Sequence, residues 1–144
     1  MIECADTTYR STLTLPNDAS ELVRMTQWAM DVCKAACLSG KTAFALQLCL
    51  EEAVANIVEH GKGRDGATEI VTSAAREGDR VTLVVEDNGA PFDSTRAAAH
   101  RPAASIEEAP VGGLGIHLMR NFASQMEYSR QDDRNRLRLT WHGG

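Results

Sequence analysis

The sequence predicts an α/β two-layer sandwich: a mixed, mostly antiparallel sheet of about five strands with three helices packed on one face. Three observations lead there. Segments with period-two alternation lie near both ends and in the middle of the chain, two long segments carry apolar residues at helical spacing, and the order runs β-α-α-β-β-loop-α-β-β. With 144 residues, 43% of them hydrophobic, the chain has material for one core, so a single domain over 1–144 is expected.

The first strand is read from the alternation in YRSTLTL (9–15), which Pro16-Asn17-Asp18 ends. A helix follows, with Leu22, Met25, Ala29, Val32 and Ala36 on one face, Asp18 or Ser20 as its cap and Ser39-Gly40 as its close. Residues 42–60 form a second helix, ended by HGKGRDG. Two β segments, TEIVTSAARE and RVTLVVED, flank Gly78-Asp79, a hairpin signal. Residues 94–111 lack clear periodicity and contain two prolines, the mark of a functional or disordered loop. A third helix is expected from GGLGIHLMRNFASQ, and two last strands, MEYSRQ and NRLRLTW, flank the turn DDRN.

Composition removes several classes of function. Twenty acidic against fifteen basic residues leave a net charge of −5, which argues against nonspecific binding to nucleic acid or to an anionic membrane. The N-terminus shows no basic start followed by an apolar run, and no apolar stretch is long enough to span a bilayer, so a cytoplasmic protein is expected. Cys4, Cys33, Cys37 and Cys49 show no CxxC spacing. Cys33 and Cys37, one helical turn apart, permit a metal pair, but they read better as small buried thiols.

The second helix raises a chemical question. At about 100° per residue, Glu52 and Asn56 lie only about 40° apart and beside the apolar stripe of Leu46, Leu50, Ala53 and Ile57, whereas Glu51 faces outward. His60 continues the same line. A carboxylate at the edge of a core is costly without a partner. Together with an amide oxygen one turn away, it has the chemistry to hold a hydrated magnesium ion and to orient or deprotonate a nucleophile. On its own the pair reads first as an ordinary polar helix edge. VVEDNGAPFD (84–93) ends a strand in Asp87 and turns through Gly89 and Pro91, again weak evidence alone. VGGLGIHLMR puts glycines at a helix entry, where free N–H groups and the helix dipole favour phosphate, though a simple turn explains them equally well.

Taken in this order and spacing, the three segments are far more specific. They resemble the ATP site of the GHKL superfamily, the Bergerat fold of ATPases and kinases. The short form, with Glu-Ala-x-x-Asn on the helix and Asp-x-Gly-x-Pro-Phe-Asp in the turn, is similar to the anti-sigma factor serine/threonine kinases of bacterial partner-switching systems. The resemblance spans roughly residues 10–140. It implies that Asn56 coordinates magnesium at the ATP phosphates and that Glu52 is the general base toward a protein hydroxyl. It further implies that Asp87 accepts from the adenine amino group, that Gly89 lets the backbone approach the base, and that Gly113, Leu114 and Gly115 bring N–H groups near the phosphates. Loop 94–111 would be the lid. The implied partners are a STAS-type anti-sigma factor antagonist, a sigma factor and a second copy of the chain, with Arg24 and Gln27 of the first helix in the partner face. His60 follows the family's pattern, although a structural histidine is the better reading.

Some residues depart from the pattern or compete with it. Where many relatives have Gly-Thr-Thr, this chain has Arg134-Asn135-Arg136, so that the Asn135 amide stands in for a threonine on the adenine side. Arg96 and Arg101 in the lid are read equally as phosphate contacts and as solvated loop charges. Ala35 to Thr42 meets a permissive P-loop pattern with Lys41, yet a P-loop needs a preceding strand and here a helix is expected. A nucleotide-dependent anti-sigma binding module without phosphotransfer is the alternative, against which the intact Glu52 argues. The catalytic portion of a histidine kinase is not expected, because it needs an upstream helical segment with a phosphoacceptor histidine, and about eight residues precede the first strand.

Overall fold

The computed structural model describes residues 8–60, 69–93, 95 and 122–143. Strand β1 (Thr8–Pro16) leads through a short 3-10 turn at Ala19–Glu21 into α1 (Leu22–Ala35) and α2 (Gly40–His60). Then come β2 (Glu69–Glu77), β3 (Arg80–Asp87), β4 (Gln125–Gln131) and β5 (Arg134–His142). The strands form one sheet in the order β1-β2-β3-β5-β4. Each neighbouring pair is antiparallel, so the mixed character expected of the sheet does not arise. The reason is topological: the chain leaves β3 for the far edge, forms β4, and returns by a tight hairpin so that β5 fills the place beside β3.

Period-two burial sets one face of the sheet against the helices. Ile70, Thr72, Ala74 and Arg76 of β2, Val81, Leu83, Val85 and Asp87 of β3, and Asn135, Leu137, Leu139 and Trp141 of β5 all point inward. Ile70, Val81, Leu83, Val85, Leu137, Leu139 and Trp141 among them form one core with Met25 and Ala29 from α1 and Leu46, Cys49, Leu50, Ala53 and Val54 from α2. Trp28 closes the side of this core, donating its ring N–H to Ser11 Oγ at 2.9 Å. Of the third expected helix, residues 122–125 are described: Phe122 is helical and meets Phe44 of α2 edge-on, with ring centroids 5.9 Å apart, and Gln125 already opens β4.

Both hairpins have two-residue turns whose backbone suits the strand twist. Gly78 takes φ +61° between β2 and β3. Asp132 and Asp133 take φ 52° and 60° between β4 and β5, the doubly left-handed geometry of a type I′ turn. Between the helices the structure departs from the expected boundary. Cys37, at φ 53°, supplies the left-handed residue that ends α1, and Gly40 already belongs to α2. Ser39 caps the new helix, its Oγ accepting from the Thr42 N–H at 3.2 Å, while Asp18 caps the 3-10 turn through the Ser20 N–H at 3.0 Å.

Arg76 stands on the buried face where the pattern leads one to expect an apolar residue. Its Nη1 donates to the carbonyls of Ala36 and Cys37, each at 2.8 Å, and its Nε to Gly78 O at 2.9 Å. The guanidinium thus satisfies orphan carbonyls at the end of α1 from within the sheet. Among the cysteines, Cys33 and Cys49 are free, and burial raises both thiols above their ordinary range, Cys49 to about 12. Cys37 is disulfide-bonded, which corrects its reading as a thiol.

Candidate nucleotide site

The inward-facing alternation of β3 and β5 ends in two polar residues, Asp87 and Asn135, which are direct partners across the ladder. Both are buried, at 7% and 6% exposure, so each must find its partners inside the protein. Asp87 Oδ1 accepts from the Gly89 N–H at 2.9 Å and from Asn135 Nδ2 at 3.1 Å. Among the described residues its second oxygen, Oδ2, has no hydrogen-bond partner. One oxygen of this buried carboxylate is thus occupied, and the other remains an acceptor.

Asn135 holds the turn after β3 as well as Asp87. Its second amide hydrogen goes to Ala90 O at 2.8 Å, and its oxygen accepts from the Phe92 N–H at 3.2 Å, the Tyr128 hydroxyl and Arg130 Nη1. Arg130 Nη1 also donates to Gly89 O at 2.9 Å. Both N–H bonds of Asn135 are thus used within the protein, on Asp87 and on Ala90. Tyr128 and Arg130 were not singled out from the sequence. The signal was there, because a two-residue turn at Asp132-Asp133 pairs Arg130 with Asn135.

Helix α2 carries the other candidate residues. Glu51 is exposed, Glu52 half-buried and Asn56 buried at 5% exposure, the order that the helical angles predict. The Asn56 Nδ2 has no hydrogen-bond partner, an unusual cost for a buried amide and one that a ligand would remove. Desolvation, with repulsion from Glu51 second, raises the Glu52 carboxyl above its ordinary value. Among the described residues Glu52 has no hydrogen-bond or ion-pair partner.

The donor set fits magnesium in one way only. Among the described residues no three histidine, cysteine or acidic side chains cluster as a metal cage. A magnesium ion held here would take the Asn56 oxygen, phosphate oxygens and water, the sparse protein coordination that this ion favours.

Gly113, Leu114 and Gly115, the lid over 94–111 apart from Thr95, and Arg96 and Arg101 lie outside the described residues. So does the His60 side chain, although His60 closes α2. The P-loop-like stretch has no strand before it: α1 ends at Ala35, Ser39 caps α2, and Lys41 is an exposed residue of that helix's first turn.

A family model described as the histidine kinase-like ATPase domain matches residues 15–141. The chain belongs to this family. Among curated proteins it is 39% identical over 106 residues to the serine/threonine-protein kinase BtrW of Bordetella bronchiseptica, covering 72% of this chain and 73% of that one. An anti-sigma F factor of Clostridium perfringens is 28% identical over 88 residues, 60% of this chain and 63% of its own. Together with the family match, these relatives support an anti-sigma factor kinase of the GHKL superfamily. The fold matches a structure of the RsbU and RsbW domains of a Mycobacterium tuberculosis protein with a TM-score of 0.66 at 17% identity, over 93% of this chain and 32% of that one. It also matches a chain of the SiaB–SiaC complex from Pseudomonas aeruginosa with a TM-score of 0.56 at 15% identity, over 90% and 88% respectively. Among the described residues no helix is long and apolar enough to cross a membrane.

Proposed function

We propose that this serine/threonine kinase domain binds magnesium ATP between α2 and the ends of β3 and β5. It transfers the γ-phosphoryl group to a hydroxyl of a STAS-type anti-sigma factor antagonist, and in its other state it sequesters a sigma factor. One observation carries the reading: Asp87, buried with a single carboxylate oxygen left free, ends a strand that packs against α2, the helix that carries a buried, unpartnered Asn56 amide with Glu52 one turn away. Asp87 is then the acceptor for the adenine amino group. Gly89, inside the turn, leaves room for the base, and Gly113, Leu114 and Gly115 meet the phosphates. Bound through Asn56, magnesium supplies charge neutralisation at the phosphates.

Glu52 takes the proton of the attacking hydroxyl. Its raised pKa makes it a stronger base than an exposed glutamate, which favours transfer over the alternative of a nucleotide-dependent module that binds without phosphorylating. The remaining catalysis is positioning of the phosphoryl group and its acceptor. Phosphorylation adds negative charge to the antagonist and expels it, which frees the kinase for sigma factor. Arg24 and Gln27, both exposed on α1, belong to the partner face. A homodimer in the cytoplasm is the working unit.

The test is calorimetric binding of magnesium ATP to the wild-type, Asp87→Asn and Lys41→Ala proteins, followed by phosphotransfer to a candidate antagonist. Loss of binding in Asp87→Asn alone supports this site. Loss in Lys41→Ala alone would move the phosphates to the P-loop-like stretch and overturn the assignment.

A further inference from the structure

We propose that Asn135 is a positioning residue of the base subsite: it dictates which oxygen of Asp87 faces the ligand, and thereby sets the preference for a purine with an amino group at C6. The inference rests on the placement of adenine at Asp87 and extends it to residues that do not touch the base.

A carboxylate swings easily about its last side-chain torsion, which is broad and roughly two-fold. Facing a ligand with nothing to hold it, either oxygen of Asp87 would turn toward the base, at an entropic cost on binding. Here two donors converge on Oδ1, the Gly89 N–H at 2.9 Å and the Asn135 amide at 3.1 Å. They fill that oxygen's lone pairs and leave Oδ2 as the free acceptor. An ionised carboxylate oxygen only accepts, so it takes an exocyclic amino group and repels a 6-oxo group.

The donor is itself held from the edge of the sheet. The Asn135 oxygen accepts from Tyr128 and Arg130 of β4 and from the Phe92 N–H, and its second N–H binds Ala90 O. Arg130 also grips Gly89 O, so one guanidinium on the edge strand fixes both the turn and the residue that orients Asp87. All five hydrogen bonds of the amide are made within the protein, which fixes its orientation and excludes it from direct contact with a base. The edge strand β4 therefore contributes to nucleotide choice through two intermediates.

The experiment measures Kd by calorimetry for ATP and for inosine triphosphate, which differs in carrying a 6-oxo group, both with magnesium, on wild type, Asp87→Asn, Asn135→Ala and Arg130→Met. Thermal melts accompany each protein. Wild type is expected to prefer ATP, and Asp87→Asn to lose that preference. Asn135→Ala is expected to weaken ATP binding by about tenfold, the cost of one misdirected buried hydrogen bond, with inosine triphosphate binding changed by less than about twofold. Arg130→Met, a change on the exposed edge strand that keeps the inner ladder intact, is expected to reduce the preference by about threefold and serves if Asn135→Ala does not fold. A lowered melting temperature with the wild-type ATP preference retained in Asn135→Ala or Arg130→Met would reduce these residues to structural props and overturn the inference, leaving Asp87 in place. Wild-type ATP binding in Asp87→Asn would instead remove the underlying site assignment.

Discussion

The guanidinium of Arg76 reaches from the end of β2 to the carbonyl oxygens of Ala36 and Cys37, each at 2.8 Å. A buried side chain of β2 thus closes the C-terminal end of α1, joining the two layers by hydrogen bonds as well as by apolar contact. Replacement of Arg76 by methionine keeps the bulk and removes the donors, leaving buried carbonyls unsatisfied. We expect a loss of about 2–4 kcal/mol in urea unfolding, with the slope unchanged.

Glu52→Gln is expected to abolish phosphotransfer while retaining most of the ATP affinity, as read by transfer assays and calorimetry on the same preparation. An undiminished transfer rate would exclude Glu52 as the base.

The same substitution has an effect on stability with a definite sign. Because burial raises the Glu52 carboxyl in the folded protein, the native state holds its proton more tightly than the unfolded chain does, and this residue's contribution falls as pH rises from the ordinary value of 4.5 through the raised one. Glu52→Gln should therefore melt higher than wild type at neutral pH, and the gap should close below the ordinary carboxylate range. Parallel melts across that range check it; a gap that widens in acid would contradict the sign.

Asn56 offers the converse pairing of effects. Its Nδ2 is buried without a partner, so Asn56→Ala removes an unsatisfied group and should leave the free protein as stable as wild type or more so. Addition of magnesium ATP should then raise the melting temperature of wild type but not of the variant. A variant that is both destabilised and still shifted by nucleotide would show that the amide serves the core.

The β4–β5 turn places Asp132 and Asp133 at positive φ, where Asn-Gly is the better pair. Asp132→Asn combined with Asp133→Gly should stabilise the hairpin by about 0.5–1 kcal/mol in chemical denaturation, without affecting ATP binding.

The features legible in the sequence were those written in short-range patterns. Alternation gave the five strands to within a residue or so at most ends, and helical angles separated Glu52 from Glu51 because side-chain direction follows from spacing alone. The limits of α1 and α2 were harder, since Cys37 adopts a conformation in which glycine is expected and Ser39-Gly40 reads as a stop rather than a start. Arg76 was invisible for a different reason: its partners lie 39 and 40 residues away, and no local pattern announces a charge that will cap a distant helix. The network around Asn135 fell between these cases. Arg130 opposite Asn135 follows from the hairpin, but the meeting with Asp87 needs the β3–β5 register, which only the folded sheet supplies.

That register bears on when the protein becomes competent. Asp87 and Asn135 are 48 residues apart, and the strand that carries Asn135 inserts between β3 and the outermost strand. Such long-range closures come late and slowly in folding. A chain still emerging from the ribosome, with β5 unsynthesised, has Asp87 without the neighbour that aims it. Nucleotide capture at the proposed site thus waits for the C-terminal strand, which also brings Leu137, Leu139 and Trp141 to the core.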